Sequence, residues 1–251
     1  MNMWIGVGRS DIGLVRTLNQ DTFAVIDDVG VWAVADGMGG HVGGEIAAQT
    51  AIATVQAEAQ ASINRLYHTD TPPVDVLTDL ISRAHDAILD RARSKPKLKG
   101  MGTTIVLLTI VSSPAPVAYL THVGDSRAYR FRSGTLTPMT KDHSLIEKYL
   151  ERGILTPETA KTHPERHVLT RALGIGSTVQ PTITAFPILP DDLVLLCSDG
   201  LTKMLEDEDI QAVFAAGERA PLQLCNRLVT AALDRGGEDN VTVVVVAHRP
   251  S

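Results

Sequence analysis

Cysteine is nearly absent from this sequence. Only Cys197 and Cys225 occur in 251 residues, and neither belongs to a C-x-x-C pair or a Cys/His cluster. A disulfide framework and a structural zinc site are therefore excluded as organising devices. Both thiols lie in apolar runs (LVLLC and LQLC) and read as small buried hydrophobes of a reducing compartment. Long apolar runs are missing too. Stretches such as VTVVVVA at 241–247 fall far short of the roughly 20 residues that span a bilayer, so no membrane partner is expected. The opening MNMWIGVGRSDIG has neither a basic n-region nor an apolar h-region, which leaves a cytoplasmic location as the expectation. Basic residues are in deficit, 23 against 29 acidic, for a net charge of −6. That balance excludes a nucleic-acid binder whose affinity rests on neutralising phosphates.

What remains is ordinary for a soluble globular protein, with 44% hydrophobic and 21% charged residues and length enough for a large core. Apolar, β-branched runs predict strands at 22–26, 31–35, 103–111, 117–123, 127–132, 193–197 and 241–247. RFRSGTLTP reads as a hairpin turning at Ser133-Gly134. Helical spacing predicts helices over 44–62, 74–94, 144–152, 207–216 and 221–234, the second entered through Pro72-Pro73. The segments 95–100 (KPKLKG) and 112–116 (SSPAP) read as loops, and no internal repeat appears. Strands and helices do not alternate regularly, which argues against a doubly wound parallel sheet. An α+β layering of antiparallel sheets covered by helices fits the order.

Four short segments place an acidic residue beside glycine at a strand end: Ala35-Asp36-Gly37, Gly124-Asp125-Ser126, Ser198-Asp199-Gly200 and Gly236-Gly237-Glu238-Asp239-Asn240. One such pair is a turn. Four of them, three directly after apolar strands, put carboxylates in costly, partly buried settings. Gathered together they would repel and need positive charge. Within these segments the only adjacent base is Arg127, so divalent cations are the natural partners, and an all-oxygen donor set selects Mg²⁺ or Mn²⁺. The glycine-rich stretch DGMGGHVGG could instead cradle phosphate, as in a nucleotide-binding protein. However, Val42 stands where G-x-G-x-x-G needs its third glycine, and no G-x-x-x-x-G-K-[ST] exists.

The series RTLNQD (16–21), VADGMGGHVGGE (34–45), MGTT (101–104), HVGDSR (122–127), KDHS (141–144), LTRALG (169–174), CSDGL (197–201) and GGEDNVT (236–242) resembles the bacterial branch of the metal-dependent PPM/PP2C serine/threonine protein phosphatases. The likeness covers nearly the whole chain, in the family's order. It implies a four-layer α-β-β-α sandwich, two central antiparallel sheets flanked by pairs of antiparallel helices, forming one domain over residues 1–251. It also implies that Asp36 bridges two Mn²⁺ or Mg²⁺ ions, helped by the Gly37 carbonyl, with Asp199 and Asp239 completing one of those sites. Asp125, with Asp199, resembles the pair that holds a third ion. Gln20 and Asp21 occupy positions that contact metal-bound water, Gln20 where many relatives have Glu. Arg16 matches the phosphate-binding arginine.

The implied chemistry is hydrolysis of phosphoserine and phosphothreonine in proteins by in-line attack of a metal-activated water, with no covalent intermediate. Neither cysteine offers the C-x₅-R of a thiol phosphatase, since Lys203 and Ala231 occupy the sixth positions after Cys197 and Cys225. Animal members carry histidine directly after the Asp-Gly, where this chain has Met38. His41 is the nearest substitute as proton donor, with metal-bound water as the alternative. His122 reads as structural, and His143 as ordering the segment after it. Residues 145–170 resemble a mobile flap subdomain of the enzymes that oppose serine/threonine kinases, with Gly153 and Pro164 as hinges. The expected partners are phosphorylated proteins and a cognate kinase, and the expected state is a monomer. A catalytically silent scaffold on the same fold would show a broken metal set, and Asp36, Asp199 and Asp239 show no break.

Overall fold

The computed structural model describes residues 3–38, 43–112 and 115–249. Strand β1 (Trp4–Asp11) is followed by β2 (Asp21–Ile26) and β3 (Val31–Met38), then by two long helices, α1 (Gly43–His68) and α2 (Pro73–Ser94). Strands β4 (Gly102–Thr103), β5 (Ile105–Val111), β6 (Val117–Val123), β7 (Arg127–Arg132) and β8 (Thr135–Pro138) come next. Helices α3 (Leu145–Glu151) and α4 (Pro157–Lys161) precede β9 (Thr182–Pro187) and β10 (Leu193–Cys197). The chain closes with α5 (Asp199–Thr202), α6 (Asp207–Ala215), α7 (Pro221–Asp234) and β11 (Val241–His248).

The strands form two sheets, and every pairing is antiparallel. One runs β1-β11-β10-β7-β8; the other runs β2-β3-β5-β6-β9, with β4 paired to β3. Period-two alternation explains the layering. Trp32 and Val34 of β3 meet Val194 and Leu196 of β10 and Val244 and Val246 of β11 in a core between the sheets. The intervening Ala33 and Ala35 turn outward against Ala47, Ala51 and Val55 of α1 and Leu80 and Ala84 of α2. Leu195, Cys197, Val243 and Val245 turn the other way, against Leu224, Leu228 and Val229 of α7 and Ile210 of α6. With both faces covered, the central strands are apolar at nearly every position. The result is the expected α-β-β-α sandwich of the α+β class.

Some elements differ from the sequence expectation. In β1, Gly6 interrupts the apolar pattern because the Trp32 ring lies where its Cβ would be. A bulky neighbour on β3 thus supplies the packing that residue 6 does not. The β9 stretch TITAFP is a largely exposed edge strand ending in Pro187. Helix α1 continues to His68, past the expected end at 62. The expected strand 103–111 breaks at Thr104, whose N–H turns to donate to the Asp36 carbonyl. The turn at Ser133-Gly134 has φ of 50° and 83°, the paired positive values of a two-residue type I′ hairpin.

The KDHS segment is stitched to the end of β6. The His143 N–H donates to the Gly124 carbonyl, and the Gly124 N–H donates back to His143 Nδ1 at 3.2 Å. His122 Nε2 lies 2.8 Å from the Lys141 carbonyl, and the two imidazoles stack with centroids 4.5 Å apart. His143 accepts at Nδ1, so its neutral form fits this bond. Burial, with the neighbouring His122, Arg171 and Lys148 charges, pushes its pKa down to about 3. The unfolded chain takes up this proton below the ordinary value near 6.5, whereas the folded chain does not. Stability from this group is therefore complete above pH 6.5 and drains as pH falls towards 3. We expect thermal unfolding to show about 1–2 kcal/mol lost at His143 between pH 7 and pH 5. His143→Asn, which keeps an acceptor, should flatten that part of the slope. An unchanged slope in the variant would contradict the assignment.

Candidate functional site

The acidic segments converge. Asp36 lies within β3, which continues through it to Met38, so the carboxylate is presented from a strand interior and not from a strand end as the sequence suggested. It pairs across the ladder with Asp21, the first residue of β2. Its peptide is fixed on both sides. The Asp36 N–H donates to Thr104 Oγ1, and its carbonyl accepts from Thr104 N–H and Thr103 Oγ1. Thr104 Oγ1 also lies 2.6 Å from Ser126 Oγ, which ties MGTT to the turn carrying Asp125. Gly37 is required sterically, because a Cβ there would strike the Gly44 carbonyl at the start of α1.

The other sheet supplies Asp199 and Asp239. Asp199 opens α5 directly after β10. Before it, the Ser198 N–H donates to the Thr242 carbonyl, while Ser198 Oγ accepts from the Thr242 N–H and donates its proton to Asp21 Oδ2 at 2.7 Å. Asp239 precedes β11, where Asn240 acts as a clasp. Its Nδ2 donates to the Ile12 and Leu18 carbonyls and its Oδ1 accepts from Gln20 N–H, which folds the 12–20 loop over the site. Arg16 is thereby set against Asp239, with Nε 2.9 Å from Oδ1 and Nη2 3.0 Å from Oδ2.

Arg16, Gln20, Asp36, Gly37, Asp125, Asp199 and Asp239 all line one open cavity of about 590 Å³, and Asp21 stands behind it, bonded to Ser198. His41 lies outside the described residues. Four wall residues escaped sequence reasoning: Thr104, His167, Leu169 and Lys203. The expectation that the acidic segments lacked basic neighbours needs correction. Lys203 Nζ sits 2.7 Å from Asp199 Oδ2 and 2.8 Å from Asp239 Oδ2. It follows Asp199 by one helical turn, a spacing at which residues face each other and which lay just beyond the SDG window. Leu169 reaches the wall because Ser144 and Leu169 bridge at the base of the intervening segment.

The electrostatics are those of crowded carboxylates. Burial, then the Asp21, Asp199 and Asp125 charges, hold the Asp36 carboxyl well above the usual range. Burial and the Asp199 charge push Asp125 to about 7; burial, partly offset by the Ser198 bond, does the same to Asp21. Burial would raise Asp239 as well, but Lys203, the Asn240 N–H and Arg16 outweigh it and bring it below its ordinary value. Asp21 Oδ1 and Asp199 Oδ1 are buried without a hydrogen-bond partner among the described residues. Among the described residues, no three His, Cys, Asp or Glu side chains form a ready-made cage around one point. Hard divalent ions of the Mg²⁺ class need no such cage, because they keep several waters and take one or two carboxylates each. An all-oxygen donor set with two unpartnered buried oxygens fits ions of that kind. The two thiols do not enter the site: both are buried and pushed up to about 12 by burial.

The chain is similar in sequence and fold to known proteins. The serine/threonine protein phosphatase PstP of Mycobacterium tuberculosis is 40% identical over 240 residues, covering 94% of this chain but 43% of that protein. The chain thus spans less than half the length of the mycobacterial relative. The serine/threonine phosphatase stp of Listeria welshimeri is 34% identical over 241 residues, covering 95% and 93% respectively. A crystal structure of the catalytic domain of serine threonine protein phosphatase PstP in complex with two manganese ions superposes with a TM-score of 0.83 at 34% identity, over 98% of this chain and 99% of that one. A profile of the Protein phosphatase 2C family matches residues 8–230. The chain belongs to the protein phosphatase 2C family.

Proposed function

We propose that the protein hydrolyses phosphoserine and phosphothreonine in other proteins, in opposition to a serine/threonine kinase. One observation carries this reading. Carboxylates from four separate stretches of chain, Asp36, Asp125, Asp199 and Asp239, meet at one cavity that also holds a guanidinium. In this reading Asp36, the Gly37 carbonyl, Asp199 and Asp239 hold two Mn²⁺ or Mg²⁺ ions, and Asp125 with Asp199 holds a third. Bound ions of this class acidify water towards neutral pH and neutralise phosphoryl oxygens.

The chain's own groups do the rest. Arg16 offers planar, paired N–H donors to the phosphoryl oxygens, a geometry that suits a tetrahedral dianion. Gln20 and Asp21 orient water beside Asp36, and Ser198 keeps the Asp21 carboxyl aimed by donating to Oδ2. The segment 145–168 leaves the sandwich at Ser144 and returns at Leu169, with His167 and Leu169 on the cavity wall. As a flap it shapes access for a phosphoprotein loop. The departing alkoxide takes its proton at the ester oxygen from His41 or, among the described residues, from His167.

Complete removal of divalent ions by a chelator should abolish phosphopeptide hydrolysis, and Mn²⁺ should restore it. Activity that survives chelation would overturn the mechanism. Asp239→Asn should lower kcat/KM at least a hundredfold while a cooperative thermal transition is retained; a wild-type rate would remove Asp239 from the site. A missing general acid costs about 10²–10⁴ in rate where the leaving group is poor. His41→Gln and His167→Gln should therefore separate, with one variant losing phosphoserine-peptide turnover to that extent yet keeping aryl phosphate hydrolysis. Equal, full activity of both on the peptide would exclude an imidazole donor.

A further inference from the structure

Lys203 is the feature of the cavity that the proposed chemistry leaves unused. It caps α5, its N–H donating to the Asp199 carbonyl at 2.8 Å, and its side chain folds back into the cavity. There the ammonium spans two carboxylates whose residues lie 40 positions apart, at 2.7 Å and 2.8 Å. A lysine serving only solubility or a rim ion pair would touch one carboxylate and stay in water. This one is about a third exposed and closes the gap between the acidic termini of β10 and β11.

The consequences follow from which oxygens are taken. Asp239 Oδ2 faces both Lys203 and Arg16, and Asp239 Oδ1 faces Arg16 and the Asn240 N–H. Asp199 gives Oδ2 to Lys203, while its Oδ1 has no partner among the described residues. A divalent ion seated on Asp199 and Asp239 could take Asp199 Oδ1, but both Asp239 oxygens already accept from Lys203, Arg16 or the Asn240 N–H, so the ion would enter directly beside the ammonium that spans the pair. Left in place, its charge would repel a dication at close range. The lysine stem is long and flexible enough to withdraw.

We propose that Lys203 is a built-in competitor for the divalent ion: it neutralises the Asp199–Asp239 pair when no ion is bound and must swing out when one enters. Ion binding in this chain is then an exchange of cations, weaker than the carboxylates alone would give. Half-occupancy of the site is for that reason reached at a higher ambient ion concentration. This inference rests on the metal reading proposed above.

Calorimetric titration of Mn²⁺ into the full chain tests it. Lys203→Gln should bind Mn²⁺ at least tenfold more tightly than wild type, about 1.4 kcal/mol, while Lys203→Arg, which keeps the charge, stays within about threefold. In chelator the Gln variant should melt lower than wild type, and Mn²⁺ should raise its midpoint by more. Equal or weaker Mn²⁺ binding by the Gln variant overturns the competition. Absence of Mn²⁺ binding in every folded variant overturns the metal reading itself, and the competition with it. A second measurement uses wild type alone. Acylation of Lys203 by an amine-reactive ester, followed by mass spectrometry, should run several-fold faster with Mn²⁺ than with chelator, and a rate unchanged by Mn²⁺ contradicts displacement.

Discussion

Repulsion among carboxylates at one end of the sandwich is the constraint that the rest of the structure answers to. The Asp199 charge raises the proton affinity of Asp21, Asp36 and Asp125 on top of the cost of burial, and the Asp21 and Asp125 charges add to it at Asp36. A fold left with that cluster uncompensated would favour separating the sheets at this edge, because charge buried without a partner is among the most costly defects a protein can carry. Two kinds of compensation act together. Mechanical restraint comes from Asn240, Ser198, Thr104 and His143, whose side chains tie each acidic segment to the backbone of a neighbouring one. Electrostatic restraint comes from Arg16 and Lys203.

The sandwich architecture makes such a cluster possible. Strand β3 belongs to one sheet, and β10 and β11 belong to the other; the core between them holds the two sheets face to face. The Asp21 carboxyl, from β2, reaches Ser198 beyond β10, so one hydrogen bond crosses from sheet to sheet beneath the cavity. Apolar packing sets the spacing of the sheets, and the polar crossbar sets the spacing of the acidic side chains. Chemistry assigned to the cavity thus depends on residues that never face it.

How much was legible beforehand depended on how local the cause was. DGMGG, GDSR, SDGL and GGEDN each carry their signal within five residues, and the structure brings all four acidic positions to one cavity. The hairpin at Ser133-Gly134 was legible for the same reason, since two adjacent residues fix the turn. Strand β1 was not, because the reason residue 6 can be glycine is a tryptophan 26 positions away. Lys203 was overlooked because its significance lies in Asp239, across the sheet, and His167 because its place on the wall follows from how the segment after α3 folds back to Leu169. The Asn240 clasp had a visible position, but its partners at Ile12, Leu18 and Gln20 follow only from the three-dimensional course of the loop.

Diffraction from crystals grown with Mn²⁺, recorded at the manganese absorption edge, tests the central claim most directly. The account predicts anomalous peaks in the cavity within bonding distance of Asp36, Asp199 and Asp239, with the Lys203 ammonium withdrawn from the last two. Saturating Mn²⁺ that leaves no peak there, or that gathers elsewhere while Lys203 still spans its two carboxylates, would contradict it.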